Sequence, residues 1–124
     1  MAAKILLQGS ALRATYGLFA LLFPKLLNGA AGIPEDEVDP DARYLNRLFG
    51  GRDLLVAGMT LAAVRAGDER SATSINLICE GTDTISLLEE LRTRGGIDRT
   101  LAIGLAFNVA GYATWLRALR ALNP

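Results

Sequence analysis

Histidine is absent from this 124-residue sequence. That removes the commonest metal ligand, the usual axial haem ligand and the side chain best suited to proton transfer near neutral pH. No metal and no cofactor is therefore expected. Cysteine occurs once, as Cys79, so neither an internal disulfide nor a thiolate cluster can form. Among Ile75, Leu77 and Ile78, Cys79 reads as a small buried apolar side chain, not as a nucleophile without a histidine partner. A net charge is also missing: 13 basic residues balance 13 acidic ones. There is no overall field to draw in nucleic acid or an anionic membrane surface, and no nucleic-acid partner is expected. Gly50-Gly51 and Gly95-Gly96 lack the strand–glycine–helix setting of a nucleotide loop.

What the sequence does have is apolar residues, 51% of the chain, with a mean hydropathy of +0.28. This tilts the reading towards a membrane. Length and uniform composition predict one domain spanning residues 1–124. Four hydrophobic segments, at about residues 12–32, 42–66, 71–91 and 100–120, predict an all-α four-helix bundle, transmembrane and multi-pass in the cell membrane. Lys4 and Arg13 precede the first apolar stretch as in a signal peptide, but three more hydrophobic segments follow, and the stretch reads as a retained helix. Pro24 lies near its lower third, and Asn28-Gly29 suits a helix stop.

An acidic segment follows, with Glu35, Asp36, Glu37, Asp39 and Asp41 around two prolines, and reads as a solvated loop. The polar turns at residues 67–70 and 92–98 are short, which makes helices two and three, and three and four, antiparallel neighbours. Residues 100–116 carry no charge and come closest to a spanning length. Tyr112 and Trp115, ahead of Arg117 and Arg120, have the pattern of an interfacial aromatic belt. Gly50, Gly51, Gly58, Gly104 and Gly111 suit close helix approach or a kink.

Residues equally distant from a turn on antiparallel helices lie at similar height, at ~1.5 Å rise per residue. Counting from the two turns brings Arg52, Asp53, Asp83 and Asn108 near one level, with Glu80 one turn away. Asn76, Glu80 and Asp83 share one face of the third segment. Such residues are costly in hydrocarbon and should face the bundle interior, with Arg52 paired to Asp83 or Glu80. The set is either a buried network that fixes helix register or a pocket in which Asp53, Glu80 or Asp83 serves as acid or base. Arg47 is a further candidate for the polar core.

Arg13 and Tyr16-Gly17 in the first helix, Pro24 near its end, the run Arg47-Leu48-Phe49-Gly50-Gly51-Arg52-Asp53 leading to Gly58, and Asp83 in the third helix carry a resemblance. The chain resembles the small bacterial four-helix membrane proteins called DoxX-like, and a related family of unassigned function. The resemblance covers most of the chain and implies a four-helix membrane topology with Arg52, Asp53 and Asp83 in a shared polar core. It implies no particular activity, and Glu80 and the acidic segment do not map onto the family's pattern. The leading functional expectation is a membrane subunit in the lipid bilayer, acting as a homo-oligomer or as an accessory part of a larger membrane complex. The alternative is a membrane-embedded enzyme or binding protein for a lipophilic small molecule, using the carboxylates as acid or base and Arg52 or Asn108 to polarise the substrate.

Overall fold

A computed structural model describes residues 1–123, with Glu35 described by its backbone alone. Those residues form five α-helices: α1 (Ala2–Leu22), α2 (Pro24–Ala30), α3 (Pro40–Arg65), α4 (Glu69–Arg94) and α5 (Arg99–Leu122), with a single 3-10 turn at Glu35–Glu37. The all-α class holds, but the helix count is five where four were expected. The first hydrophobic segment begins near the amino terminus and is broken in two. Pro24 causes the break: it has no N–H to donate, and its ring pushes the preceding residue out of the helical region. Phe23 accordingly sits at φ −130°, ψ 54° between the two helices.

The remaining helix ends follow from local chemistry. Asp68 and Asp98 cap α4 and α5 by accepting hydrogen bonds from the backbone N–H of Ser71 at 3.0 Å and of Leu101 at 2.8 Å. Asp39 caps α3, with Pro40 in the first turn, where a missing N–H does no harm. Gly67 and Gly95 take the left-handed conformation that lets the chain reverse, with φ of 75° and 68°.

The four long helices form an antiparallel bundle, and its register is visible in pairs that descend one helix as they climb the next. Arg52 and Thr60 on α3 meet Asp83 and Asn76 on α4. Arg13 and Gly17 on α1 meet Asp53 and Gly50 on α3, and Gly9 and Tyr16 meet Trp115 and Phe107 on α5. At the α1–α3 crossing two backbones touch: a Cβ on Gly50 would lie 2.6 Å from the carbonyl oxygen of Gly17. Gly51 and Gly58 face open space, so the close approach expected of all three glycines belongs to Gly50 alone. The short α2 is tied to α3 where Asn46 donates to the Asn28 side-chain oxygen at 2.7 Å.

The apolar core is small. Leu6, Ala72, Trp115 and Ala118 pack together near the chain termini, whereas the middle of the bundle buries Ser10, Asp53, Thr60, Thr73, Asn76, Glu80 and Asn108. Large apolar side chains point outwards instead. Leu12 is 75% exposed, while the side chain of its neighbour Arg13 is 9% exposed.

By length and hydropathy one described helix, Ala2–Leu22, is long and apolar enough to cross a membrane, and only 28% of its apolar window is buried. The expectation that residues 100–116 come closest to a span, and that several helices qualify, is not met on this measure. The charges and hydroxyls of α3 and α4 lower their hydropathy, and α5 loses its margin to Asn108, Arg117 and its glycines and threonines.

Candidate functional site

Four helices each send polar side chains to one height in the bundle. On α4, Asn76, Glu80 and Asp83 recur at intervals of four and three residues and so share a face, with Cys79 at its edge. Opposite them stand Arg13 on α1, Arg52 and Asp53 on α3, and Asn108 and Trp115 on α5.

These groups make one continuous chain of charge. Arg13 donates from Nη2 to Glu80 Oε1 at 2.5 Å and from Nη1 to Asp53 Oδ1 at 3.2 Å and Cys79 Sγ at 2.9 Å. Asp53 Oδ1 also accepts from Arg52 Nη2 at 3.1 Å. Arg52 then holds Asp83 with both arms of its guanidinium, at 2.6 and 3.2 Å, the fork geometry that suits a carboxylate. The order is Glu80, Arg13, Asp53, Arg52, Asp83, alternating in sign with a carboxylate at each end.

The Glu80 end is the most completely enclosed. Its Oε1 accepts a second bond from Trp115 Nε1 at 3.0 Å, and its Oε2 accepts one from Asn108 Nδ2 at 3.1 Å. The backbone leaves room for it, because Gly111 presses against the carboxylate: a Cβ there would lie 2.5 Å from Cδ and 2.7 Å from Oε2. Arg13 also sits over the Trp115 ring, 5.7 Å from its centroid. The Asp83 end is half-buried and reaches the bundle surface, with Arg52 lying over the Phe49 ring at 5.1 Å.

Of the residues singled out from sequence, Arg52, Asp53, Glu80, Asp83 and Asn108 thus meet in one network. Asn76 is buried one turn away and belongs to a separate pair, donating to Thr60 Oγ1 at 2.7 Å and to the Ala72 carbonyl at 2.9 Å. Arg47 lies outside the polar core: it is exposed at the far end of α3, beside α2. Trp115 is likewise not part of an interfacial belt, since it is buried with its indole N–H on Glu80. Sequence reasoning missed Arg13 as the hub. Its signal was available: it is the single charge among residues 5–22, and an isolated charge in such a stretch seeks an interior partner.

The arrangement limits the chemistry. Each carboxylate of the network is engaged by at least one arginine, and among the described residues no three metal-ligating side chains gather. An open cleft of about 870 Å³ lies away from the network, at the junction of α1, α2 and α3, walled by Leu22, Phe23, Leu26, Lys25, Arg43 and Arg47. A second, of about 60 Å³, lies between the ends of α4 and α5 and is lined by leucines and Ile97. No protein-family model, curated protein or solved structure matches the chain.

Proposed function

We propose that this is a small multi-pass integral membrane protein that works as a structural subunit, through self-association or by seating against a larger membrane partner. Its charged network is then internal scaffold. The observation that carries this reading is the inversion of polarity between inside and outside. Residues 5–22, 48–64, 71–88 and 100–116 contain five charged side chains, Arg13, Arg52, Asp53, Glu80 and Asp83, and all five belong to the network. Each of those stretches rises about 25–27 Å, close to the ~30 Å of a bilayer's hydrocarbon core. Around that belt stand exposed Leu12, Leu55, Ile78, Ile85, Phe107 and Val109, a surface that water disfavours and lipid does not.

The hydroxyls of α4 fit the same reading. The exposed Ser74 and Ser86 each donate to the carbonyl four residues earlier, at 3.0 and 3.1 Å. A hydroxyl satisfied within its own helix adds little to the cost of facing lipid. The resemblance to DoxX-like proteins belongs to this proposal as well, since Arg13, Gly17, Gly50, Arg52 and Asp53 all lie at or beside the α1–α3 crossing. An enzymatic role for Asp53, Glu80 or Asp83 has weaker support, because arginines occupy all three carboxylates.

The test is accessibility. In a Cys79→Ser background, single cysteines at Leu12, Ile85 and Phe107 should resist a water-soluble maleimide in intact membranes, while one at Asn123 should react. The protein should also stay with the membrane through a carbonate wash. Release by carbonate together with labelling at all four positions would remove the membrane reading.

A further inference from the structure

We propose that the cleft at the α1–α2–α3 junction binds the phosphate of an anionic bilayer phospholipid, with Arg43 and Arg47 as the phosphate-holding groups. The inference rests on the membrane reading above. At about 870 Å³ the cleft is within the ~300–1,000 Å³ range of small-molecule sites. Its walls are of two kinds. Leu22, Phe23 and Leu26 form an apolar side, and Arg43 and Arg47 form a cationic side.

The cleft exists because of the break at Phe23. There α1 ends and α2 turns away, so the wall that a continuous helix would have supplied is missing. Arg43 and Arg47 are one helical turn apart on α3 and so share a face, their Cβ atoms ~5–6 Å apart. Two guanidiniums at that spacing can share one phosphate through paired N–H donors. Neither guanidinium has an ion-pair or hydrogen-bond partner among the described residues, although the acidic segment lies just before α3.

Position completes the argument. Leu22 closes one apolar stretch and Arg47 directly precedes another, so the cleft straddles the edge of the apolar belt. Headgroup phosphates lie at that depth, with the first acyl carbons beside them. A zero net charge over the whole chain is no obstacle, because the attraction acts within a Debye length. An anionic headgroup is favoured over phosphatidylcholine because the latter brings its own cation towards the arginines.

Titrating the detergent-solubilised full chain calorimetrically with dihexanoyl phosphatidylglycerol, dihexanoyl phosphatidylcholine and inorganic phosphate tests the proposal. Phosphatidylglycerol should bind more tightly than either of the others. Arg43→Gln/Arg47→Gln should weaken it about tenfold or more, with an unchanged melting temperature, since neither side chain holds the fold. Arg117→Gln/Arg120→Gln, at the opposite end of the bundle, should leave it as it was. Equal affinity for the two lipids, equal loss in both double variants, or binding of phosphate alone as tight as that of phosphatidylglycerol would each overturn the lipid site. Flat titrations of a protein that survives the carbonate wash remove this inference only. Release by that wash, together with maleimide labelling at all four positions, removes the membrane reading itself.

Discussion

Two arginine–carboxylate contacts in this protein have the same length and opposite surroundings. Arg13 meets Glu80 at 2.5 Å with side chains 9% and 7% exposed, and Arg94 meets Asp98 at 2.5 Å with side chains 42% and 49% exposed. In the first, Trp115, Asn108, Asp53 and Cys79 supply further hydrogen bonds to the pair. In the second, Arg94 also donates to Glu90 and Asp98 accepts from the Leu101 N–H, but both side chains stand open to solvent. Distance alone therefore says little about what an ion pair is worth. The interior pair is valuable because each partner would be stranded without the other, whereas the turn pair is screened and readily replaced by solvent.

Breaking the interior pair gives the largest expected effect. Arg13→Ala leaves Glu80 and Asp53 short of their common cation and should cost about 3–5 kcal/mol, measured by denaturant unfolding in mild detergent. Arg13→Lys keeps the charge but loses the fork that spans two carboxylates, and should recover only part of that loss. A loss below 1 kcal/mol for Arg13→Ala would show that the network is not what holds α1 to the bundle.

The half-buried end of the same network should rank second. Asp83→Asn removes the charge that Arg52 grips, but Arg52 keeps Asp53 and the asparagine oxygen can still accept from it. The expected loss is less than that of Arg13→Ala, by the same unfolding measurement, because Arg52 keeps one carboxylate. If this variant proved as damaging as Arg13→Ala, the network would be one indivisible unit and the contrast between its ends would fail.

The same contrast separates what the sequence disclosed from what it did not. Arg52, Asp53, Glu80, Asp83 and Asn108 were legible because two short turns fix the relative heights of α3, α4 and α5, so depth could be counted along the chain. The count was looser in azimuth: it set Asn108 level with Asp83, whereas the amide bonds Glu80 and Thr84. Height follows from residue number, but the choice of partner depends on how each helix is rotated. Arg13 could not be placed by counting, because α2 and the acidic segment separate α1 from α3 and no tight turn sets its register. The break at Phe23 is legible in Pro24, which cannot donate into the helix before it. Trp115 misled for a different reason, since an indole ahead of two arginines has the same sequence pattern whether it faces a membrane interface or a buried carboxylate.

The turn pair supplies the smallest effect, and pH isolates it. Asp98 titrates below its ordinary value of 3.8, first because its carboxylate caps the Leu101 N–H and second because Arg94 donates to it. A carboxyl whose folded-state pKa is depressed contributes stability that is present above 3.8 and disappears as pH falls through the lower folded-state value. Asp98→Ala should therefore melt at a lower temperature than the parent at pH 6, and the two melting curves should converge as the pH is taken below 3.8. The other carboxylates titrate in both proteins, so the difference between the curves reports Asp98 alone. Salt divides its two partners: about 1 M sodium chloride shortens the screening length to ~3 Å and should suppress the Arg94 contribution while leaving the cap in place. A gap that persisted unchanged at the lowest pH would mean that Asp98 acts through backbone shape and not through its charge.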